Sequence, residues 1–474
     1  MKRFAGLTLL MILGICQFSF AQQLRLPDYF SDNMVLQQRD TVRLWGWADG
    51  GQRVWIKASW MTDTLHTQAS SGARWEIKLP TPAAGGPYEL MISNGNQSLT
   101  IHNILIGETW LCGGQSNMEF SASWSPVTRQ QEETTGMQFP EIRLFHVYKI
   151  TSACPQLEVR GKWEICAPQT LADFSAVAYF FGRSLHQHLH VPVGLIESCW
   201  GGTPVETWMP DSIFAHHPAL AASAAHLSVA QWWPTRPALA FNAMIAPLQF
   251  LPIAGVIWYQ GETNTQNPLT YEEAFSRMIA SWRQLWQKQF PFYFVQIAPF
   301  QYQTPFAGAL IREAQLQTYR HVPRTGLVVT TDITGDTSDI HPKDKQDVGE
   351  RLARWALAKT YDRPDIICSG PLYDSMRIEG NRIRIYFDFA DDGLVIHGPQ
   401  LTDIFIAGQD QQFLPAEAKV EKNTLVVWNR QIAHPVAVRF GFSNTAIPNL
   451  FNRAGLPASP FRTDHWQVWT TTAP

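Results

Sequence analysis

The pattern of hydrophobic and polar positions changes twice along the chain. Between residues 24 and 103, short runs alternate apolar with polar side chains, as in residues 41–47 and 54–58, and Gly50 and Gly51 separate those two runs. Alternation of this kind predicts strands with one buried face, joined by tight turns. We therefore predict an N-terminal β-sandwich-like domain over residues 22–103.

From residue 104, apolar strand-like runs alternate with longer segments that repeat apolar residues at helical spacing. The predicted strands cover residues 104–111, 142–148, 193–196, 255–259, 292–297 and 326–330. The predicted helices cover residues 174–189, 270–288, 308–320 and 344–361, and a proline- and tryptophan-rich insertion occupies about 204–252. Repeated units of strand and helix predict an α/β domain over residues 104–369, with a parallel sheet and helices on both faces.

Strand-like alternation returns beyond Gly370, in residues 381–387, 425–428 and 436–442, with turn residues between the runs. This pattern predicts a second β-sandwich-like region over residues 370–474. The expected architecture is thus an α/β domain flanked by two β regions.

The first 21 residues have the pattern of a signal peptide. Lys2 and Arg3 precede an apolar stretch over residues 7–15, and small residues at Ser19 and Ala21 suit a cleavage site. No other segment approaches the roughly 20 apolar residues that a membrane-spanning helix needs. We expect cleavage near Ala21 and a secreted or periplasmic protein without membrane insertion.

Composition and charge narrow the classes of partner. The formal net charge of the 474-residue chain is −3, and loss of Lys2 and Arg3 leaves 35 basic against 40 acidic residues, or −5. The absence of a basic stripe in the sequence argues against nucleic acid and anionic membranes as partners. Nineteen tryptophans fit either sugar-facing surfaces or aromatic-rich β cores.

The cysteines and histidines do not indicate a metal site or a cofactor. Cys154 and Cys166 flank a loop-like stretch and are candidates for a disulfide in an exported protein. No Cys/His spacing is typical of zinc. His186, His188 and His190 end a predicted helix, which favours a solvated helix terminus over a metal site.

The first candidate for chemistry is the turn Gly113-Gly114-Gln115-Ser116-Asn117-Met118, which follows the apolar run at 104–111. A serine on a tight glycine turn at a strand end suits an exposed nucleophile, with backbone N–H groups beside it for an oxyanion. On this local pattern alone, a serine that merely caps a helix fits equally well.

Three further polar clusters favour the nucleophile. Residues 200–203, 260–264 and 332–341 also follow predicted strands. Because open α/β sheets bind ligands at the carboxyl ends of their strands, these clusters are expected to meet. A serine nucleophile needs a base, and His341, two residues after Asp339, is the best-placed histidine.

The motifs occur in the order expected of the SGNH (GDSL-like) hydrolase superfamily, and the chain resembles most closely the bacterial and animal sialate O-acetylesterase family. The stretches that carry the resemblance are residues 33–37, 106–118, 199–208, 258–264, 339–352 and 449–464. The resemblance implies a flavodoxin-type parallel sheet and a secreted carbohydrate O-acetylesterase that needs no cofactor. Its first expected substrate is 9-O-acetylated sialic acid. Acetylated xylan or another hemicellulose is the alternative, and a non-catalytic glycan-binding protein is a different class.

The resemblance also assigns roles to residues. Ser116 is expected to be the nucleophile and His341 the general base, oriented by Asp339. The N–H groups of Ser116 and Gly202 and the side-chain amide of Gln260 are expected to form the oxyanion hole, with Asn264 in reserve. The superfamily commonly spaces its acid as Asp-x-x-His, whereas that position holds Ser338 here. A triad with Asp339 and a Ser–His dyad therefore both stay open.

Residues that select the sugar are harder to read from the sequence. The candidates for substrate binding are Trp200, Trp208 and Arg312, together with Trp232 and Trp233 in the insertion. Glu262, in the Gln-Gly-Glu motif, is expected to be structural rather than an acid catalyst. The oligomeric state is left open.

Overall fold

The computed structural model describes residues 23–121 and 139–468. The predicted signal peptide lies outside the described residues. Within the two described ranges, no helix is both long and apolar enough to cross a membrane.

Six short strands come first in the described chain. They are β1 (Val35–Gln37), β2 (Thr41–Trp47), β3 (Arg53–Ala58), β4 (Leu65–Gln68), β5 (Arg74–Pro80) and β6 (Gly85–Ser93). β2 pairs antiparallel with β5, and β3 pairs antiparallel with both β4 and β6. In β3 every second residue is buried and the others are exposed, as the alternation of its sequence predicts.

The longest strand, β7 (Ser98–Gly114), joins the N-terminal strands to the central sheet. Its first half pairs antiparallel with β6 and is partly exposed, whereas every residue from Ile104 to Gly114 is buried. Continuous burial is what a central strand of a parallel sheet requires, since both of its faces are covered. The predicted boundary between residues 103 and 104 thus coincides with a change of burial inside one strand.

The central sheet continues through six more strands. They are β8 (Phe139–Val147), β9 (Gly161–Cys166), β10 (Val193–Cys199), β11 (Gly255–Tyr259), β12 (Phe292–Val295) and β13 (Thr325–Val328). Their order is β13-β12-β11-β7-β10-β8-β9, and only β9, at one end, runs antiparallel to its neighbour. This confirms the predicted parallel sheet.

Helices cover both faces of this sheet, as predicted. The α-helices of the described residues are α1 (Ser116–Glu119), α2 (Pro168–Leu171), α3 (Ala176–Leu189), α4 (Asp211–His216), α5 (Pro218–Ala225), α6 (Tyr271–Trp286), α7 (Ala307–His321) and α8 (Lys345–Lys359). Along β11, Ile257 packs into a core shared with α3 and α8, whereas its neighbour Trp258 packs into a core shared with α6 and α7. Successive residues of one strand therefore fill two different cores.

Short irregular helices lie in the connections. They are the 3₁₀-helices Val205–Trp208, Ala246–Phe250, Thr263–Gln266, Pro268–Thr270 and Thr331–Ile333, and the π-helix Phe241–Ile245. Three of these six lie within the predicted insertion over about 204–252.

The C-terminal region is built of short antiparallel strands. They are β14 (Leu372–Glu379), β15 (Arg382–Asp388), β16 (Leu394–Ile396), β17 (Ile404–Ala407), β18 (Leu414–Pro415), β19 (Glu417–Glu421), β20 (Thr424–Trp428), β21 (Ala437–Phe440), β22 (Leu450–Asn452) and β23 (Phe461–Arg462). This region contacts the α/β part directly. The guanidinium of Arg462 binds the Glu313 carboxylate of α7 through two hydrogen bonds of 2.7 and 2.9 Å, and Gln296 Nε2 donates to Ser459 Oγ at 3.0 Å.

The suggested disulfide is not formed. Cys154 and Cys166 are both free thiols, the first exposed and the second buried on β9. Their proximity in sequence was misleading because Cys166 points into the core while Cys154 lies in an exposed connection.

Candidate active site

The turn that carries Ser116 is fixed by backbone geometry at the end of β7. Gly114 has a φ of +142°, and a Cβ atom on it would lie 2.1 Å from the carbonyl oxygen of Tyr259 in β11. Only glycine fits such a position, because the neighbouring atom is backbone and cannot move aside. The next residue but one, Ser116, begins α1 at the carboxyl edge of the sheet.

Ser116 and His341 meet although 225 positions separate them. His341 Nε2 lies 3.0 Å from Ser116 Oγ, within hydrogen-bonding distance. Both side chains line a pocket of about 480 Å³. Partial burial and the nearby Lys345 ammonium lower the pKa of His341, so the ring is neutral at pH 7 and free to accept a proton.

Asp339 does not hydrogen-bond the histidine ring. Its Oδ1 accepts the backbone N–H of His341 at 2.9 Å and lies 3.7 Å from the ring atom Nδ1. Its Oδ2 forms an ion pair of 2.7 Å with Lys343. Asp339 therefore closes the turn that presents His341, and the geometry is nearer to a Ser–His dyad than to a triad with a bound ring.

Two of the predicted oxyanion donors belong to residues that line the pocket, Ser116 and Gly202. Among the described residues, the backbone N–H groups of Ser116 and Gly202 have no protein acceptor. The turn that holds Gly202 is anchored beside it, because Glu119 Oε2 accepts the N–H of Gly201 at 2.5 Å and Glu119 also pairs with Lys149. Free N–H groups held in this way suit an oxygen that becomes negative during a reaction.

The third predicted donor needs a correction. Gln260 Nε2 donates to the Thr203 carbonyl at 3.3 Å and to Asn264 Oδ1 at 2.7 Å, so both of its N–H groups are used. The reserve, Asn264, donates to Glu206 at 2.8 Å and to Asn267 at 3.0 Å. Both amides are fully buried and absent from the pocket lining. Neither has an N–H to offer an oxyanion.

The expected sugar-binding residues divide into two groups. Trp200, Trp232 and Trp233 line the pocket, and Trp232 is 74% exposed. Trp208 and Arg312 are fully buried: the Trp208 indole donates to Thr203 Oγ1, and Arg312 donates to the carbonyl of Ser443. The prediction that these two contact substrate is therefore wrong, since both side chains are enclosed within the protein.

A buried polar cluster lies directly behind Ser116 and His341. Asn117 Nδ2 donates to Glu262 Oε1 at 2.6 Å and to the carbonyl of Ile340 at 3.1 Å, and Asn117 Oδ1 accepts from Lys345 Nζ at 2.6 Å. Burial raises the pKa of Glu262 and lowers that of Lys345 to about 7. The sequence motif predicted a structural role for Glu262, but no pattern in the sequence indicated the roles of Asn117 and Lys345, because their partners are distant in sequence.

A family model described as carbohydrate esterase, sialic acid-specific acetylesterase, matches residues 107–358, slightly more than half of the chain. Human sialate O-acetylesterase is 31% identical over 75% of this chain and 74% of its own length. The chain belongs to the sialic acid-specific carbohydrate esterase family. It is therefore an esterase, as the sequence motifs predicted.

Other relatives of this esterase agree with that assignment. The mouse sialate O-acetylesterase is 29% identical over 77% of this chain and 79% of its own length. Among solved structures, a carbohydrate acetylesterase from Xanthomonas citri superposes with a TM-score of 0.85 at 35% identity, covering 94% of this chain and all of that one.

For this esterase we predict that Asp339→Asn lowers kcat/KM for p-nitrophenyl acetate by less than about 10-fold, whereas loss of a ring-bound triad aspartate costs about 10⁴-fold. Asparagine keeps an oxygen that can accept the His341 backbone N–H, and the ring loses no hydrogen bond. Asp339→Ala, which removes that acceptor, should cost more. A drop near 10⁴-fold in the asparagine variant would show that Asp339 binds the ring during catalysis.

Proposed function

We propose that the chain is a carbohydrate O-acetylesterase that works through an acyl-enzyme on Ser116. The observation that carries the proposal is the 3.0 Å contact between Ser116 Oγ and His341 Nε2 at an open pocket. A nucleophile in hydrogen-bond reach of a neutral imidazole is the arrangement that acyl transfer needs.

The chemistry follows from the positions of these groups. Ser116 Oγ attacks the acetyl carbonyl carbon while His341 Nε2 takes the hydroxyl proton, and the carbonyl oxygen becomes negative in reach of the Ser116 and Gly202 N–H groups. Collapse of this intermediate releases the sugar oxygen, which receives the proton from His341. A water molecule, deprotonated by the same ring, then attacks the acetyl carbon. The bond to Ser116 Oγ breaks, acetate leaves, and Ser116 Oγ takes the proton back from His341.

The substrate proposed first is an O-acetylated sialic acid, with the 9-O-acetyl ester as the preferred position. The support comes from the family model, which is described as sialic acid-specific, and from the mammalian relatives, which are named sialate O-acetylesterases. The three tryptophans of the pocket offer apolar faces beside the reacting serine. Acetylated xylan is the competing substrate class.

We also propose that the protein acts outside the cytoplasm, as mature chain from residue 22. The support is the basic, then apolar, then small-residue order of positions 1–21. N-terminal sequencing of protein recovered from the export fraction tests this, and an N-terminus at Met1 would contradict it.

Acetate release from three matched substrates tests the proposed specificity. We expect the purified chain to release acetate fastest from a 9-O-acetylated sialoglycan, more slowly from acetylated xylan, and to hydrolyse p-nitrophenyl acetate as a simple activated ester. The same glycans after alkaline deacetylation serve as blanks. Faster release from xylan would assign acetylated hemicellulose as the substrate class. Hydrolysis of p-nitrophenyl acetate alone would contradict the proposal that the substrate is an acetylated sugar.

A further inference from the structure

We propose that the side-chain amide of Gln115 is the third oxyanion donor, in the place predicted for Gln260. The proposal rests on the acyl-enzyme mechanism proposed above. Gln115 directly precedes Ser116, its side chain is nearly buried, and it lines the same pocket as Ser116, Gly202 and His341. An amide N–H in that lining is a candidate for contact with the reacting carbonyl oxygen.

The orientation of the Gln115 amide is fixed by two donors. Its Oε1 accepts the backbone N–H of Gly261 at 3.2 Å and that of Thr263 at 3.4 Å. A flipped amide would set its NH₂ group against two N–H donors and lose both hydrogen bonds. The oxygen therefore faces the 261–263 loop, and the nitrogen is held on the opposite side of the group.

The nitrogen so placed has no competing acceptor. Among the described residues, Gln115 Nε2 donates no hydrogen bond. Several other polar atoms without a partner are fully enclosed, but Gln115 Nε2 does not belong to that group. It therefore has access to the pocket. In the amides of Gln260 and Asn264, by contrast, both N–H groups donate to protein acceptors. Of the three amides at these strand ends, only that of Gln115 retains N–H groups for a ligand.

The same loop holds the Gln115 amide and the Gly202 peptide together. The Thr263 N–H binds Gln115 Oε1, and the Thr263 hydroxyl donates to the Gly202 carbonyl oxygen at 3.0 Å. The Gln115 backbone is anchored as well, since its N–H donates to the Tyr259 carbonyl at 3.0 Å. Donors fixed before substrate arrives need no rearrangement at the moment that charge develops, which is the condition for a large electrostatic contribution.

A merely structural role for Gln115 makes a different prediction from a catalytic one. The structural contacts of the side chain use only Oε1 as an acceptor. Gln115→Glu preserves the size of the side chain and an oxygen for both backbone N–H groups, but it removes the two N–H donors and adds a negative charge beside the oxyanion. Gln115→Leu removes the same donors without adding a charge, so the two variants together separate the lost donors from the added charge. If the side chain had only a structural role, kcat would stay close to the wild-type value. If the side chain is an oxyanion donor, kcat would fall.

The test measures kcat, KM and melting temperature for wild type, Gln115→Glu and Gln115→Leu with p-nitrophenyl acetate. For Gln115→Glu we expect kcat to fall by about 10²–10³-fold, the range found when one oxyanion donor is removed, with KM changed by less than about threefold. Gln115→Leu should lose similar activity and also melt at a lower temperature, because leucine leaves the N–H groups of Gly261 and Thr263 without an acceptor. Retention of kcat within threefold in folded Gln115→Glu would overturn the proposal.

A second measurement on unmodified protein keeps the proposal testable if the variants do not fold. Wild-type enzyme inactivated with a p-nitrophenyl alkylphosphonate carries a phosphonyl oxygen where the oxyanion forms. A crystal structure of that adduct should place this oxygen within hydrogen-bond distance of Gln115 Nε2, and a separation above 4 Å would overturn the assignment. Labelling of Ser116 by the phosphonate tests the proposed nucleophile separately, whatever Gln115 does.

Discussion

Ser116→Ala is expected to abolish acetate release, with kcat reduced by at least about 10⁴-fold on both p-nitrophenyl acetate and acetylated sialoglycan. Alanine has no oxygen to form the acyl-enzyme, and His341 then has nothing to deprotonate except water. The backbone N–H groups of position 116 and of Gly202 remain in this variant, so a small residual rate above the uncatalysed reaction is expected from oxyanion stabilisation alone. The backbone of the turn should not change, because Gly114 sets its path.

The matched control for this variant is Ser338→Ala. Ser338 lies three residues before His341 and is exposed, and its hydroxyl donates to Asp336 at 2.8 Å rather than facing the pocket. Its loss should leave kcat within a few-fold of wild type. Active-site titration in a pre-steady-state burst, with each protein purified in the same way, separates true residual activity from a contaminating esterase. More than a tenth of wild-type activity in Ser116→Ala would remove Ser116 as the nucleophile.

The convergence of the four polar loops could be predicted from the sequence. Parallel strands bring their carboxyl ends to one edge whatever their distance along the chain, so apolar runs followed by polar clusters were enough to place Ser116 near His341. Burial along β7 could be anticipated in the same way, since alternation in its first residues gives way to a continuous apolar run.

Which amide is free for an oxyanion could not be predicted. The answer depends on acceptors that are distant in the chain: Gln260 binds the Thr203 carbonyl, 57 positions away, and Gln115 binds Gly261, 146 positions away. Residue type and strand-end position are the same for both glutamines. Only the three-dimensional arrangement shows that the N–H groups of Gln260 donate to protein acceptors, whereas those of Gln115 do not.

The error over Trp208 and Arg312 has a similar origin. Both are residue types that bind sugars, and Trp208 stands in a motif that also lines the pocket through Trp200 and Gly202. In the structure Trp208 packs edge-on against Trp258 with ring centres 6.0 Å apart, in the core behind the sheet. The sequence of a loop does not show whether a tryptophan in it packs into the core or lines the pocket.

Asn117→Leu is expected to be strongly destabilising, at about 3–5 kcal/mol of unfolding free energy. Asn117 is fully buried, and its side chain binds Glu262, Lys345 and the Ile340 carbonyl at once. Leucine fills similar space but leaves the buried Glu262 and Lys345 side chains and the Ile340 carbonyl without their shared partner. Ile340 precedes His341, so the contact with Ser116 should loosen and kcat should fall as well.

Thermal unfolding followed by circular dichroism measures the expected loss of stability as a fall in Tm of roughly 5–10 °C. The control is Asn96→Leu, which changes an exposed turn asparagine and should alter stability by no more than about 0.5 kcal/mol. The cost in Asn117→Leu should be limited by neutralisation, because the pKa of Glu262 is already raised and that of Lys345 already lowered to about 7 in the native protein. A Tm within 1–2 °C of wild type would mean that Glu262 and Lys345 are held by other groups, and that Asn117 does not tie the His341 loop to the serine turn.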